Sequence, residues 1–223
     1  VENVYDKKIH KGLGWSGSVK RSLNDKKWGY SVVDGVERFE LRNGDCGNDK
    51  YHSDCSTGRE RSEVSVGKKF GMRDHFSISY SIKFDESYKS VSPSENYIGQ
   101  MHIQMGGKST GHAPMTGMEE FEGSVRMMGT ELFKVDNNWH DVEWQFDMKN
   151  ATVKVSIDGE LKLESVAYIP DGAKHAYFKY GIYRNRISAY KRASSGSTDI
   201  NVWDKVELPT QVVYYKNFEY KKL

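Results

Sequence analysis

The chain is poor in cysteine and proline, with 2 and 4 among 223 residues, and no apolar run approaches the length needed to span a bilayer. It also lacks a charge excess. Lys and Arg number 33 against 31 Asp and Glu, so no global field draws the protein onto nucleic acid or an anionic membrane, and any anion site must be local. Neither nucleic acid nor membrane is expected as a partner. Helical periodicity, internal repeats and low-complexity tracts are missing as well. That excludes a helical repeat protein and a disordered chain.

What is present is aromatic and glycine-rich: 13% Phe, Trp and Tyr with 21 Gly, a composition that suits many strands joined by turns. Alternating segments run over residues 76–84, 97–105, 121–128, 140–148, 152–157, 160–166, 175–184 and 212–220. Asp158-Gly159 reads as a tight hairpin turn, and the stretches 106–111 and 193–198 read as turns between strands. The length fits one domain over residues 1–223. Short strands of this kind predict an all-β jelly-roll sandwich of two antiparallel sheets, one of them concave enough to form a groove.

Three segments concentrate polar side chains on one face. In the run Tyr177 to Tyr183, alternation sends Tyr177, Lys179, Gly181 and Tyr183 to one side and Phe178, Tyr180 and Ile182 to the core. In Tyr97 to Met105 it places Gln100, His102 and Gln104 opposite Met101, Ile103 and Met105. In Arg59 to Ser65 it groups Arg59, Arg61, Glu63 and Ser65, so that a guanidinium oriented by Glu63 is offered to a carboxylate. Singly, each has a bland reading as a solvated sheet face or a structural ion pair. Jointly, on one concave sheet, they read as a groove for an anionic chain.

Cys46 and Cys55 bracket a turn-rich segment that closes readily as a short disulfide loop, which favours an oxidising compartment. A metal site using both thiolates, His52 and nearby aspartates matches no zinc spacing. Asp45, Asp49 and Asp54 carry oxygen ligands that suit a structural calcium ion, although loop aspartates commonly face solvent. No catalytic metal and no cofactor is required.

Arg61-Ser62-Glu63-Val64, Gln100-Met101-His102 and Tyr177-Phe178-Lys179-Tyr180-Gly181-Ile182-Tyr183 resemble, in this order, the three signature strands of jelly-roll polysaccharide lyases, a group that includes alginate lyases, glucuronan lyases and heparin lyase I. The stretch from Phe39 through the cysteine loop to Glu63 is more similar to the glucuronan and heparin-lyase branch. Where alginate lyases of family 7 usually carry a second Arg after Arg-Ser-Glu, this chain has Ser65. It is also much shorter than heparin lyase I, so size favours the glucuronan lyases of family 20. The cluster Arg184, Arg186, Lys191 and Arg192 keeps sulfated substrates open.

The resemblance implies an endo-acting β-elimination at a uronic acid, in a secreted and monomeric enzyme. The substrate carboxylate must be neutralised, the C5 proton removed and O4 protonated. Gln100, Lys179 and Arg61 are the candidates for the first task. Tyr183 is the candidate acid. On glucuronate, whose C5 proton and O4 share a side, Tyr183 can be base and acid with His102 assisting; on guluronate or iduronate His102 would be the base. Arg59, Gln104, Tyr177 and Arg126 are further substrate contacts. A carbohydrate-binding module without catalysis would explain the aromatics but gives no reason for His, Tyr, Lys, Gln and Arg to converge.

Overall fold

The structure is a computed structural model that describes residues 10–11, 26–47, 53–106 and 112–223, with side chains at 10–11 and 112–114 not described. It is a two-layer β-sandwich, as the alternating pattern predicts. The back sheet is built from β1 (His10–Lys11), β2 (Tyr30–Val33), β3 (Val36–Leu41), β5 (His75–Phe84), β10 (His140–Asp147), β11 (Thr152–Ile157), β12 (Glu160–Val166) and β14 (Gln211–Lys222). Its order is β12-β11-β10-β5-β14-β3-β2, with β1 pairing parallel to β14. The front sheet holds β4 (Glu60–Ser65), β6 (Glu95–Met105), β7 (His112–Phe121), β8 (Ser124–Met127), β9 (Thr130–Lys134) and β13 (Ala173–Asn185), in the order β4-β13-β6-β7-β8-β9.

Period-two alternation explains the core. Phe178, Tyr180 and Ile182 of β13 and Met101 and Ile103 of β6 are buried, and they face Phe76, Ile78 and Ile82 of β5 and Trp144 and Phe146 of β10. Removing each such side chain from water contributes about 1.5–3 kcal/mol, so these inner faces fix which side of the front sheet is left for function.

The front sheet has several register shifts, and two of them coincide beside Tyr183. The ladder shifts register between Tyr180 and Tyr183 and between Tyr97 and Gly99. A residue that slips there leaves a carbonyl without its ladder partner. The Tyr215 hydroxyl, reaching across from β14, donates to the Ile98 carbonyl at 2.6 Å and lies 2.9 Å from the Gly181 carbonyl. Gly181 has φ +126°, and a Cβ there would collide with the Ser62 carbonyl and sit 2.8 Å from Glu63 Cα.

Three expectations are corrected. The segment 121–128 is not one strand: Phe121 ends β7, Glu122 and Gly123 turn with φ 51° and 77°, and β8 begins at Ser124. A strand at 112–121 was not foreseen. A helix does exist, α1 (Ile187–Ser195), followed by a short α2 (Ile200–Trp203), so residues 193–195 end a helix instead of forming a turn. No residue of α1 is buried and its N-cap, Arg186, makes no side-chain capping bond, so neither a buried stripe nor a capping residue announces it. Tertiary contacts place it: the Ile187 amide donates to the Gly58 carbonyl and the Tyr190 amide to Ser94 Oγ.

Candidate active site

The three polar faces meet on the outer side of the front sheet. Register places Tyr183 opposite Arg61 on β4 and opposite Tyr97 on β6, while Lys179 lies opposite Ser65 and Gln100. Residues directly opposite in a ladder share a face, so Arg61, Glu63, Lys179, Tyr183, Gln100 and His102 form one surface.

A hydrogen-bonded chain links them. The Glu63 carboxylate takes the Lys179 ammonium in an ion pair and accepts from Gln100 Nε2 at 2.6 Å. The Gln100 carbonyl oxygen lies 3.0 Å from His102 Nε2. Arg61 contacts Glu63 at 3.5 Å, but its fork is held by Asp54 at 2.6 and 2.8 Å. The same guanidinium lies over the Tyr183 ring at 4.4 Å, in cation–π contact. The partner that orients Arg61 is therefore chiefly Asp54. Glu63 instead organises Lys179 and Gln100. Formal charges in this set cancel, two cations against two carboxylates, so both Lys179 and Arg61 are already paired within the site.

Tyr183 is a phenol here. Burial pushes its pKa up, with Glu63 and Asp54 adding to the rise, while Arg61 and Arg59 pull it down without cancelling the shift. Tyr97 stacks on it, ring centroids 6.0 Å apart at 23°, and burial together with Glu95 and Glu119 pushes Tyr97 up to about 12. Simple alternation from Gln100 sends Tyr97 to the core. The irregularity at Ile98 reverses that, so only Gly99, whose Cβ would crowd Tyr80 and Trp144, could have signalled it.

The remaining candidates spread outward. Arg59 Nε donates to Asn185 Oδ1 at 3.2 Å, at the Tyr183 end. Tyr177 lies 5.6 Å from the His102 ring with Lys69 Nζ 4.5 Å above its own ring; burial lowers the Lys69 pKa. Gln104 continues the His102 face, opposite His175. Arg126 shares the row through Tyr183, Tyr97 and Glu119, but three strands from β13, about 14 Å away at the usual strand spacing, and it lies over Phe121. It is outside the hydrogen-bonded set.

The basic cluster that begins at the end of β13 disperses. Arg184 is fully buried and pairs with Glu60, Arg186 pairs with Glu95, Lys191 with Asp204, and Arg192 lies over Trp203. It forms no common surface for sulfates.

Cys46 and Cys55 are joined in a disulfide. Asp54 is engaged by Arg61, and Asp45 accepts from Trp28 Nε1 and the Arg42 amide, each at 2.8 Å. Asp49 and His52 lie outside the described residues. Among the described residues no group of three or more His, Cys, Asp or Glu side chains is placed to hold a metal ion. None of the helices among them is long and apolar enough to cross a membrane.

The fold is similar to that of solved alginate lyases. AlgAT5 of polysaccharide lyase family 7 matches with a TM-score of 0.59 at 13% identity, covering 89% of this chain and 84% of that one. AlyA1 from Zobellia galactanivorans matches at 0.59 and 10%, over 89% and 82%. An alginate lyase from Pseudomonas aeruginosa matches at 0.54 and 16%, over 90% and 88%. At such identities the likeness concerns the fold alone, and no curated protein sequence matches. The family model described as polysaccharide lyase matches residues 14–217, a span that contains the whole Glu63 network. The chain therefore belongs to the polysaccharide lyase family, and it is an enzyme of that kind.

Proposed function

We propose that the chain is an endo-acting, secreted lyase that cleaves a uronic-acid polysaccharide by β-elimination, with β-1,4-glucuronan as the preferred substrate. The observation that carries the choice of sugar is the state of His102: Nε2 is bonded to the Gln100 carbonyl and Nδ1 is a buried atom. A ring held in this way steadies the site better than it abstracts a proton. Tyr183 then serves as both base and acid, which requires the C5 proton and O4 on one side of the sugar, as in glucuronate and its C2 epimer mannuronate and unlike guluronate or iduronate. Between the first two, Ser65 in place of the second Arg usual in family 7 favours glucuronate.

In that reaction the fraction of Tyr183 that has lost its proton to solvent reacts. The C5 proton passes to the phenolate oxygen, the C5–H electrons form the C4=C5 bond, the C4–O4 bond breaks with its electrons going to O4, and O4 takes that proton from Tyr183, which returns to phenolate. The second amide hydrogen of Gln100 and the Arg61 guanidinium stabilise the carboxylate as charge grows on it. The Arg61 plane against the Tyr183 ring lowers the cost of forming phenolate. The cancelled charge of the Glu63 set suits a substrate bearing carboxylates without sulfates. The disulfide supports an oxidising, extracellular setting.

Alginate is the second reading, favoured by the similarity of the fold to solved alginate lyases. Incubation with glucuronan, alginate and heparin, followed by ultraviolet absorbance of the unsaturated uronate, separates the readings. Glucuronan should give the fastest rise. A faster rise on alginate transfers the assignment to guluronate or mannuronate, and binding with no rise on any polymer would establish a binding module instead.

A further inference from the structure

Glu63 is buried, 1% exposed, and hydrogen-bonds to neither candidate proton-transfer group directly, yet its side-chain contacts lead to both, through Gln100 to His102 and through Arg61 to Tyr183. Paired with Lys179 and Arg61, it is a carboxylate, and a carboxylate only accepts hydrogen bonds. The Gln100 group 2.6 Å from Glu63 Oε1 must then be the amide nitrogen. A flipped Gln100 would set two acceptors against each other in a buried site beside a charge, which is unfavourable.

With the amide fixed, its carbonyl oxygen is the atom 3.0 Å from His102 Nε2. A carbonyl cannot donate, so Nε2 carries the hydrogen, and in the neutral imidazole the lone pair sits on Nδ1. We infer that Glu63 is a positioning residue that sets the His102 tautomer through Gln100, with hydrogen on Nε2 and the lone pair on Nδ1. The signal passes from acceptor to donor to acceptor to donor, over Glu63 Oε1, Gln100 Nε2, Gln100 Oε1 and His102 Nε2. Lys179 and Arg61 act on it only by keeping Glu63 charged.

The kinetic consequence rests on the proposed roles of His102 and Tyr183, but the tautomer itself does not. The test is therefore spectroscopic first. Protein labelled with ¹⁵N-histidine, observed at a pH where His102 is neutral, should show His102 with a protonated Nε2 and an unprotonated Nδ1. Glu63→Gln can turn its own amide toward Gln100, and should convert this signature to a tautomer mixture while lowering kcat on the order of 10²-fold with a smaller change in KM. Gln100→Leu removes the relay but keeps the Glu63–Lys179 pair, and guards against failure of Glu63→Gln to fold. It should give the same mixture. Hydrogen on Nδ1 in the unaltered protein, or an unchanged signature in a folded variant, overturns the inference. A correct tautomer shift in a protein inactive on every polyuronate would instead leave the relay standing and remove the proposed reaction.

Discussion

Strands β4 and β13 carry two carboxylate clusters of similar composition. On the outer face of the front sheet, Glu63 meets a cation, Lys179, and an amide, Gln100; toward the core, Glu60 meets a cation, Arg184, which in turn meets an amide, Gln211. They differ in where their hydrogen bonds end. Arg184 donates to Glu60 and Gln211 at 2.9 Å and to the backbone carbonyls of Leu41 and Pro209, while Gln211 donates to the Lys89 carbonyl and Glu60 accepts from the Gly44 amide. Most of those ends are main chain. The Glu63 cluster ends instead at half-buried, titratable His102 and, through Arg61, at Tyr183. A polar network that closes on backbone fixes a fold, whereas one that closes on proton-transfer groups prepares a reaction.

The contrast can be broken by experiment. Tyr183→Phe should keep the fold and lower turnover by about 10²- to 10⁴-fold, read from unsaturated uronate formation. Full activity would remove Tyr183 from the mechanism. Arg184→Met leaves Glu60 buried without its cation and should lower unfolding free energy by about 3–5 kcal/mol in urea, with kcat per folded molecule little changed. A loss of kcat without a loss of stability would erase the distinction between the clusters.

The disulfide touches both. Gly44 and Asp45 precede its loop and Asp54 adjoins Cys55, so the segment donates to Glu60 and holds Arg61. Opening a crosslink of sequence separation 9 should cost about 2–3 kcal/mol and weaken activity through Arg61. Reduction that alters neither would disconnect the loop from the groove.

The pH profile sharpens the groove's side of the contrast. Burial raises the Tyr183 pKa above its ordinary value, so at neutral pH the phenolate fraction is small and grows about tenfold per pH unit below that pKa. If Tyr183 is the base, kcat/KM should climb through pH 8 and beyond. A profile that rises and levels off near the ordinary histidine pKa of about 6.5 would make His102 the base. The smallest effect serves as a control: Lys162→Ala, in an exposed pair with Glu160, should change stability by less than about 1 kcal/mol and activity not at all.

Much of this was legible in the sequence because alternation is a local rule. The hairpin of β11 and β12 around Asp158-Gly159, with φ 53° and 83°, follows from two residues and two periods. So does the shared face of Tyr177, Lys179 and Tyr183. Pairing is not local. Lys179 and Glu63 are 116 positions apart, and nothing in either strand says that the ammonium is spoken for or that Arg61 belongs to Asp54. Tyr97 was hidden because one irregular residue inverts parity, and α1 because its support comes from Gly58 and Ser94 instead of an apolar stripe.

Gly181 carries a consequence for engineering. It lies opposite Glu63, between Lys179 and Tyr183 on β13, in a conformation and a space that admit no side chain. In a library randomised across the whole groove, active clones should vary at Gln104, Arg126 and Tyr177 and return a single residue type at position 181. Attempts to retarget the enzyme should therefore spend their diversity on the rim, since Gly181 tolerates no new atoms.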